Sequence, residues 1–212
     1  MGSPAGRARV VVLTGPSGAG KSRLAGALHT AYGWPIVRLD DFYRDGDDPG
    51  LPMVELGGTR LPDWDDPRSW RADAAVSALT ELLATGRTVV PSYDLASSAT
   101  VGSQVVTAPP GSVVVAEGIF AAEVAPALRE RDLLTGAYCI THGRFGNFLF
   151  RLGRDLRERR KPPLVLIRRG WALATREADI VARAVRLGAV CATPDKTFDA
   201  IARHPDSRPV AR

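Results

Sequence analysis

Val10 to Thr14 form an unbroken apolar, β-branched run, the pattern of a buried strand. Gly15 to Gly20 then read as a turn. From Lys21 onward, Leu24, Ala27, Leu28 and Ala31 recur at helical spacing. Pro35 to Leu39 predict a second strand that ends at Asp40 and Asp41. Asp45 to Asp66, rich in Gly, Pro and Asp, read as a long functional loop. Ser69 to Ala84 predict a helix with Trp70, Ala74, Leu79 and Leu82 among its apolar positions. Strands follow at Thr88–Pro91 and, after the Pro109-Pro110-Gly111 turn, at Val113–Ala116. Ala121–Arg131 predict a helix and Gly136–Thr141 a strand. Near the end, Arg176–Leu187 look helical, with Ile180, Val181, Ala184 and Leu187 apolar, and Thr193–Ile201 predict a last short helix.

Strands that alternate with helices imply an α/β fold: a parallel sheet flanked by helices on both faces, three layers in all. Such sheets bind ligands beyond the carboxyl ends of their strands. The Gly15 turn, Asp40, Tyr93 and Glu117 all follow predicted strand ends, so they are expected to converge on one crevice. The 212 residues suffice for a single domain. Residues 1–7 and 205–212 read as loose tails.

The turn carries chemistry. Gly15-Pro16-Ser17-Gly18-Ala19-Gly20-Lys21-Ser22 matches GxxxxGK[ST] between a predicted strand and a predicted helix, which defines a P-loop. Glycines let the backbone N–H groups of Gly15, Ser17, Gly18, Ala19 and Gly20 turn inward as an anion nest. The helix N-terminus, with Arg23 in its first turn, adds partial positive charge. Lys21 is placed for the β- and γ-phosphates of ATP, and the Ser22 hydroxyl for Mg²⁺. Glu117 ends the run Val113-Val114-Val115-Ala116, where an acid can hold the same Mg²⁺ directly or through water. Asp40, at the end of the second strand, is the candidate base for a hydroxyl attacking the γ-phosphate. Asp41 has the alternative of capping a following turn.

Net charge adds a constraint. The formal charge is +5. From Arg144 to Lys161, seven basic residues stand against Asp155 and Glu158, so this one stretch accounts for the whole excess. A single basic segment suits a compact triphosphate, and no nucleic-acid partner is expected. Phe145, Phe148, Leu149, Leu152 and Leu156 share one helical face, and Arg151, Arg154 and Arg157 the opposite one. Arginine forks suit phosphate oxygens, and such a row could close over ATP as a lid across residues 144–161. No signal peptide and no apolar run of about 20 residues occurs, so the chain is expected in the cytoplasm without a membrane partner. Cys139 and Cys191 sit among apolar residues and read as two buried free thiols.

Over residues 8–161 the chain resembles the uridine kinase family of P-loop small-molecule kinases. The resemblance rests on the P-loop, Asp40-Asp41-Phe42-Tyr43, Trp64-Asp65-Asp66-Pro67, Pro91-Ser92-Tyr93-Asp94, Val114-Val115-Ala116-Glu117-Gly118-Ile119, and Arg151, Arg154, Asp155, Glu158 and Arg159 with Lys161 at the last basic position. It implies that Asp40 is the base, that Asp65 binds a ribose, and that Tyr43 and Tyr93 line a nucleoside pocket. It also implies that Arg151 and Lys161 lie nearer the acceptor and the catalytic Arg154 and Arg159 nearer the phosphates. The expected activity is ATP- and Mg²⁺-dependent transfer of the γ-phosphoryl group to a hydroxyl, foremost the 5′-hydroxyl of a uridine- or cytidine-like nucleoside. Other alcohols, or a nucleotide-dependent regulatory module without transfer, are the alternatives. The pocket departs from the family at three places. Ser98 stands where a histidine reads the pyrimidine, Leu95 replaces an aromatic, and Asp66 replaces another histidine. The segment from Pro162 on is assigned to packing and to closing the adenine side. A homo-oligomer stays open.

Overall fold

The computed structural model describes residues 9–56, 58–141 and 177–204. Its centre is a five-stranded sheet of β1 (Arg9–Thr14), β2 (Ile36–Arg38), β7 (Val113–Glu117), β8 (Leu134–Ile140) and β9 (Val190–Ala192), ordered β2-β7-β1-β8-β9. Every pairing in it is parallel. The two central strands, β1 and β7, are buried almost throughout, as their continuous Val-rich runs require of strands covered on both faces.

One face of the sheet packs on α1 (Lys21–Tyr32) and α5 (Pro194–Ala202). There Val11, Leu13 and Val115 meet Leu24, Leu28 and Ile201. The other face carries α2 (Ala72–Thr85), α3 (Ala125–Glu130) and α4, the described helical residues 177–186, around Leu79, Leu82, Leu128 and Ala184. The three layers expected from the alternation are therefore present, and the final helix packs against α1.

Several local expectations change. Residues 45–66 are not a plain loop, since β3 (Met53–Leu56) and β4 (Thr59–Pro62) form a hairpin within them. Trp70 precedes α2 instead of lying in it, and its indole Nε1 donates to the Leu39 carbonyl at 2.5 Å. Ala74 is exposed, while Ala75 and Ala78 face inward. The Thr88–Pro91 strand belongs to β5 (Arg87–Asp94), which pairs antiparallel with β6 (Ala99–Thr107) in a separate hairpin. β6 mixes apolar and polar residues with neither a continuous apolar run nor strict alternation, and Val101 and Val105 are exposed, so its pattern gave no strand signal. Cys139 is buried but Cys191 is exposed. The pair sits opposite in register on β8 and β9, and the outermost strand leaves the Cys191 side chain in solvent.

Candidate active site

The sheet delivers its chemistry at one edge. β1 ends at Thr14 and runs into the P-loop. Gly15 adopts φ 129°, and a Cβ there would stand 2.6 Å from the Ile140 carbonyl oxygen. Glycine thus lets the loop pass against β8. Gly20, at φ 93°, caps α1, so the helix starts at Lys21 as expected. The Lys21 side chain is buried and donates from Nζ to the carbonyls of Gly15 (2.9 Å) and Pro16 (3.0 Å). Folding the ammonium back across the loop holds it at the mouth of the anion nest. Ser17 and Gly18 are exposed at the loop tip, Ala19 is buried, and Arg23 is exposed on α1.

β7 ends at Glu117, which stands beside Leu13 of β1 and Arg38 of β2 in the sheet register. Both Glu117 carboxylate oxygens lie 3.2 Å from the Ser22 hydroxyl, which donates to them. Burial pushes the Glu117 carboxyl above its usual range, the nearby Asp40 adds to this, and Lys21 opposes it. A hydroxyl and a desolvated carboxylate at this spacing are hard oxygen donors of the kind Mg²⁺ prefers. That ion usually takes one or two carboxylates and fills its remaining positions with water and phosphate. Among the described residues no group of three or more His, Cys, Asp or Glu could hold a metal by itself. The donor set fits a phosphate-bound Mg²⁺.

Asp40 lies in a 3-10 turn, Leu39–Phe42, that follows β2. Its Oδ1 accepts the Ile119 N–H at 2.8 Å, just past the end of β7. Burial raises the Asp40 pKa. The Ile119 bond, Lys21 and Arg38 pull it back, and Asp41 raises it again. A carboxylate so placed favours taking a proton. Gly118 is what allows the approach, because a Cβ there would sit 2.7 Å from Asp40 Oδ1 and 3.1 Å from Leu39 Cβ. Gly118→Ala is therefore expected to displace the carboxylate and lower kcat by about 100-fold, the cost of a misplacement near 1 Å. Steady-state kinetics with an unchanged circular dichroism spectrum check this.

Tyr43 joins the base to the acceptor side. It is buried, and its pKa rises steeply, first from burial and then from the charges of Asp40 and Asp65 nearby. Its ring meets Trp64 edge-on at 6.0 Å, Phe120 at 5.9 Å and Tyr93, tilted, at 5.8 Å. Asp40, Tyr43 and Asp65 thus share one neighbourhood. Tyr93 arrives by another route than the sequence suggested. It sits inside β5, away from the parallel sheet, and the hairpin carries it onto the 3-10 turn. Asp41 helps hold it there: its buried carboxylate accepts the Tyr93 N–H at 3.4 Å and lies 3.7 Å from Arg38. The turn-cap reading of Asp41 gives way to this cross-link between two elements.

Ser98 does not take up a reading position. It adopts φ 51° in the hairpin turn, and its carbonyl accepts the Gly46 N–H at 2.7 Å. Asp66 caps the following 3-10 turn through the Arg68 N–H at 2.8 Å and pairs with the Arg68 guanidinium. Arg151, Arg154, Arg159 and Lys161, with the whole expected lid over 144–161, lie outside the described residues. Two side chains went unnoticed in the sequence. Glu123, in the 3-10 turn Ala121–Val124, and Arg183 of α4 form a doubly hydrogen-bonded ion pair across 60 positions. No local spacing signals a pair that only packing assembles.

The fold and this edge define a three-layer α/β architecture of the P-loop NTPase type: a parallel sheet flanked by helices, with the P-loop motif after β1. No family profile matches the chain. Among solved structures it resembles a protein from Silicibacter sp. TM1040, provisionally described as a fructose transport system kinase. The TM-score is 0.58 at 18% identity, with 90% of each chain covered. A possible uridine kinase from Bacillus stearothermophilus aligns with a TM-score of 0.46 at 18% identity, over 69% of this chain and 77% of that one, too distant to carry an argument. Among curated proteins, inorganic pyrophosphatase TTM2 of Arabidopsis thaliana is 29% identical over 160 residues. That match takes in 74% of this chain but spans only 21% of the relative's length. No described helix is long and apolar enough to cross a membrane.

Proposed function

We propose that this chain is an ATP- and Mg²⁺-dependent kinase that transfers the γ-phosphoryl group to a hydroxyl of a small molecule. The observation that carries it is the meeting of Lys21, the Ser22–Glu117 pair and a desolvated Asp40 at one edge of the sheet. The P-loop N–H groups and Lys21 would hold the phosphates. Ser22 and Glu117 would hold Mg²⁺, which supplies charge neutralisation on the β- and γ-oxygens when bound. Asp40 would orient the acceptor hydroxyl and take its proton as the oxygen attacks. The arginines of the lid, Arg154 and Arg159, remain the proposed stabilisers of charge on the transferring group, with Arg151 and Lys161 toward the acceptor. Asp65 and the Tyr43–Tyr93 pair support the 5′-hydroxyl of a nucleoside as acceptor, and the replaced positions 95 and 98 support another alcohol.

A nucleotide-dependent regulatory module is the second reading, and it would not need Asp40 as a base aimed at a second substrate. The test is a labelled γ-phosphoryl transfer assay over a pool of nucleosides, sugars and simple alcohols with ATP and Mg²⁺. A phosphorylated alcohol is expected. ATP consumed at one rate with or without alcohols, and no phosphorylated product, would replace the kinase with the module.

A further inference from the structure

Resting on the kinase reading, we infer that the acceptor is a compact polyhydroxy compound, a sugar or sugar alcohol without a nucleobase, held in the cavity between Asp65 and the Glu123–Arg183 pair. Two separate observations lead there.

The first concerns where a base would stack. The tip of the β5–β6 hairpin is fastened to the residues after Tyr43. Gly46 N–H donates to the Ser98 carbonyl at 2.7 Å. Thr100 donates from its backbone N–H and its hydroxyl to Asp45 Oδ1 at 2.7 and 2.8 Å. The Tyr93 phenol donates to the Arg44 carbonyl at 3.1 Å. The Tyr93 ring packs, tilted, against Tyr43 at 5.8 Å, and its hydroxyl is committed to the Arg44 carbonyl. Leu95, at the position of the family's aromatic, points into solvent at 73% exposure. Tyr93 and Thr100 of the hairpin are thus committed to Arg44 and Asp45, and Ser98 and Leu95 stand at the positions where the family carries its base-reading histidine and an aromatic.

The second concerns the space beside Asp65. A cavity of about 260 Å³ opens beside Asp65, on the face of the sheet opposite α1. This is below the roughly 300–1,000 Å³ of sites for drug-sized ligands. Ile119 lines it, and the same residue's N–H binds Asp40, so the cavity begins one residue from the proposed base. The Glu123–Arg183 pair and Asp179 of α4 also line it, with Phe120 as an apolar member. Tyr93 is not among the described residues around it. Carboxylates accept hydrogen bonds only, and guanidinium only donates, whereas an alcohol hydroxyl does both. The Glu123 carboxylate and the Arg183 guanidinium, held by each other, match several hydroxyls on a small carbon frame, whose C–H face can rest on Phe120. The pair is already locked in place, so little ordering is needed on binding.

The test is an acceptor panel for the full-length protein with ATP and Mg²⁺: pentoses, hexoses and their alcohols against uridine, cytidine and adenosine. At least one polyol is expected to show kcat/KM about tenfold or more above every nucleoside, since a site built to bond a hydroxyl discriminates strongly. Glu123→Gln is expected to raise the polyol KM about tenfold while the KM for ATP stays put. Because Glu123→Gln also weakens the bond to Arg183, Asp179→Ala on the exposed side of α4 is measured beside it, with the same expected split and an unchanged Tm. Nucleosides preferred over every polyol, or a polyol KM indifferent to both substitutions, would overturn the inference and leave the kinase reading standing. No alcohol phosphorylated at all would remove both.

Discussion

Asp40→Asn is expected to lower kcat by about 10²–10⁴-fold, the range for loss of a positioned general base, with ATP affinity unchanged. The amide oxygen can still accept the Ile119 N–H, so the turn keeps its shape. Only the capacity to take a proton is lost. The same substitution is expected to make the protein more stable at neutral pH. Burial raises the folded pKa of Asp40 above its unfolded value. Between those two values the folded state binds more protons, so stability falls as pH rises through that window. Above it the penalty is fully present; below the ordinary carboxylate range it vanishes. An uncharged amide carries no such penalty. Thermal unfolding of both proteins should therefore show the Asp40→Asn variant with the higher Tm at pH 7 and the difference shrinking as the pH falls below the ordinary Asp pKa. Equal midpoints at pH 7 would mean that Asp40 is not desolvated, and unchanged turnover would remove it as the base.

Lys21→Ala is expected to reduce kcat by about 10²–10³-fold, as removal of one preorganised electrostatic donor does, and to weaken ATP binding as well. The ammonium is buried and bonded to two loop carbonyls, so it is poised before any phosphate arrives and loses little order on engaging one. Its charge also lowers the pKa values of Asp40 and Glu117. Without it both carboxyls should protonate more readily, and the acid limb of the pH–rate profile should move upward. A rate profile and an ATP titration separate these effects. A loss confined to ATP affinity, with kcat intact, would contradict a role at the transferring phosphoryl group.

Much of the site was legible because its determinants are local. The P-loop needs glycines, a lysine and a hydroxyl at set offsets, and all of them lie within eight consecutive residues of one strand–turn–helix unit. Glu117 and Asp40 were legible as acids at the ends of apolar runs. The hairpin was not. Thr88–Pro91 has the composition of a buried strand, yet only its inner face, Thr88 and Val90, is buried. A short apolar run cannot tell a central parallel strand from one half of a hairpin.

The sequence by itself determined that a P-loop motif lies between a buried strand β1 and a helix, and that acids stand at the carboxyl ends of β2 and β7. Each follows from periodicity or from spacing along a few residues. Only the tertiary structure decided that Tyr93 reaches the site through a hairpin, that Asp41 holds it there, and that Gly118 clears the space for Asp40. It alone brought Glu123 to Arg183 and opened the cavity beside Asp65. These are contacts between residues tens of positions apart, set by how elements pack, and packing leaves no mark on local periodicity.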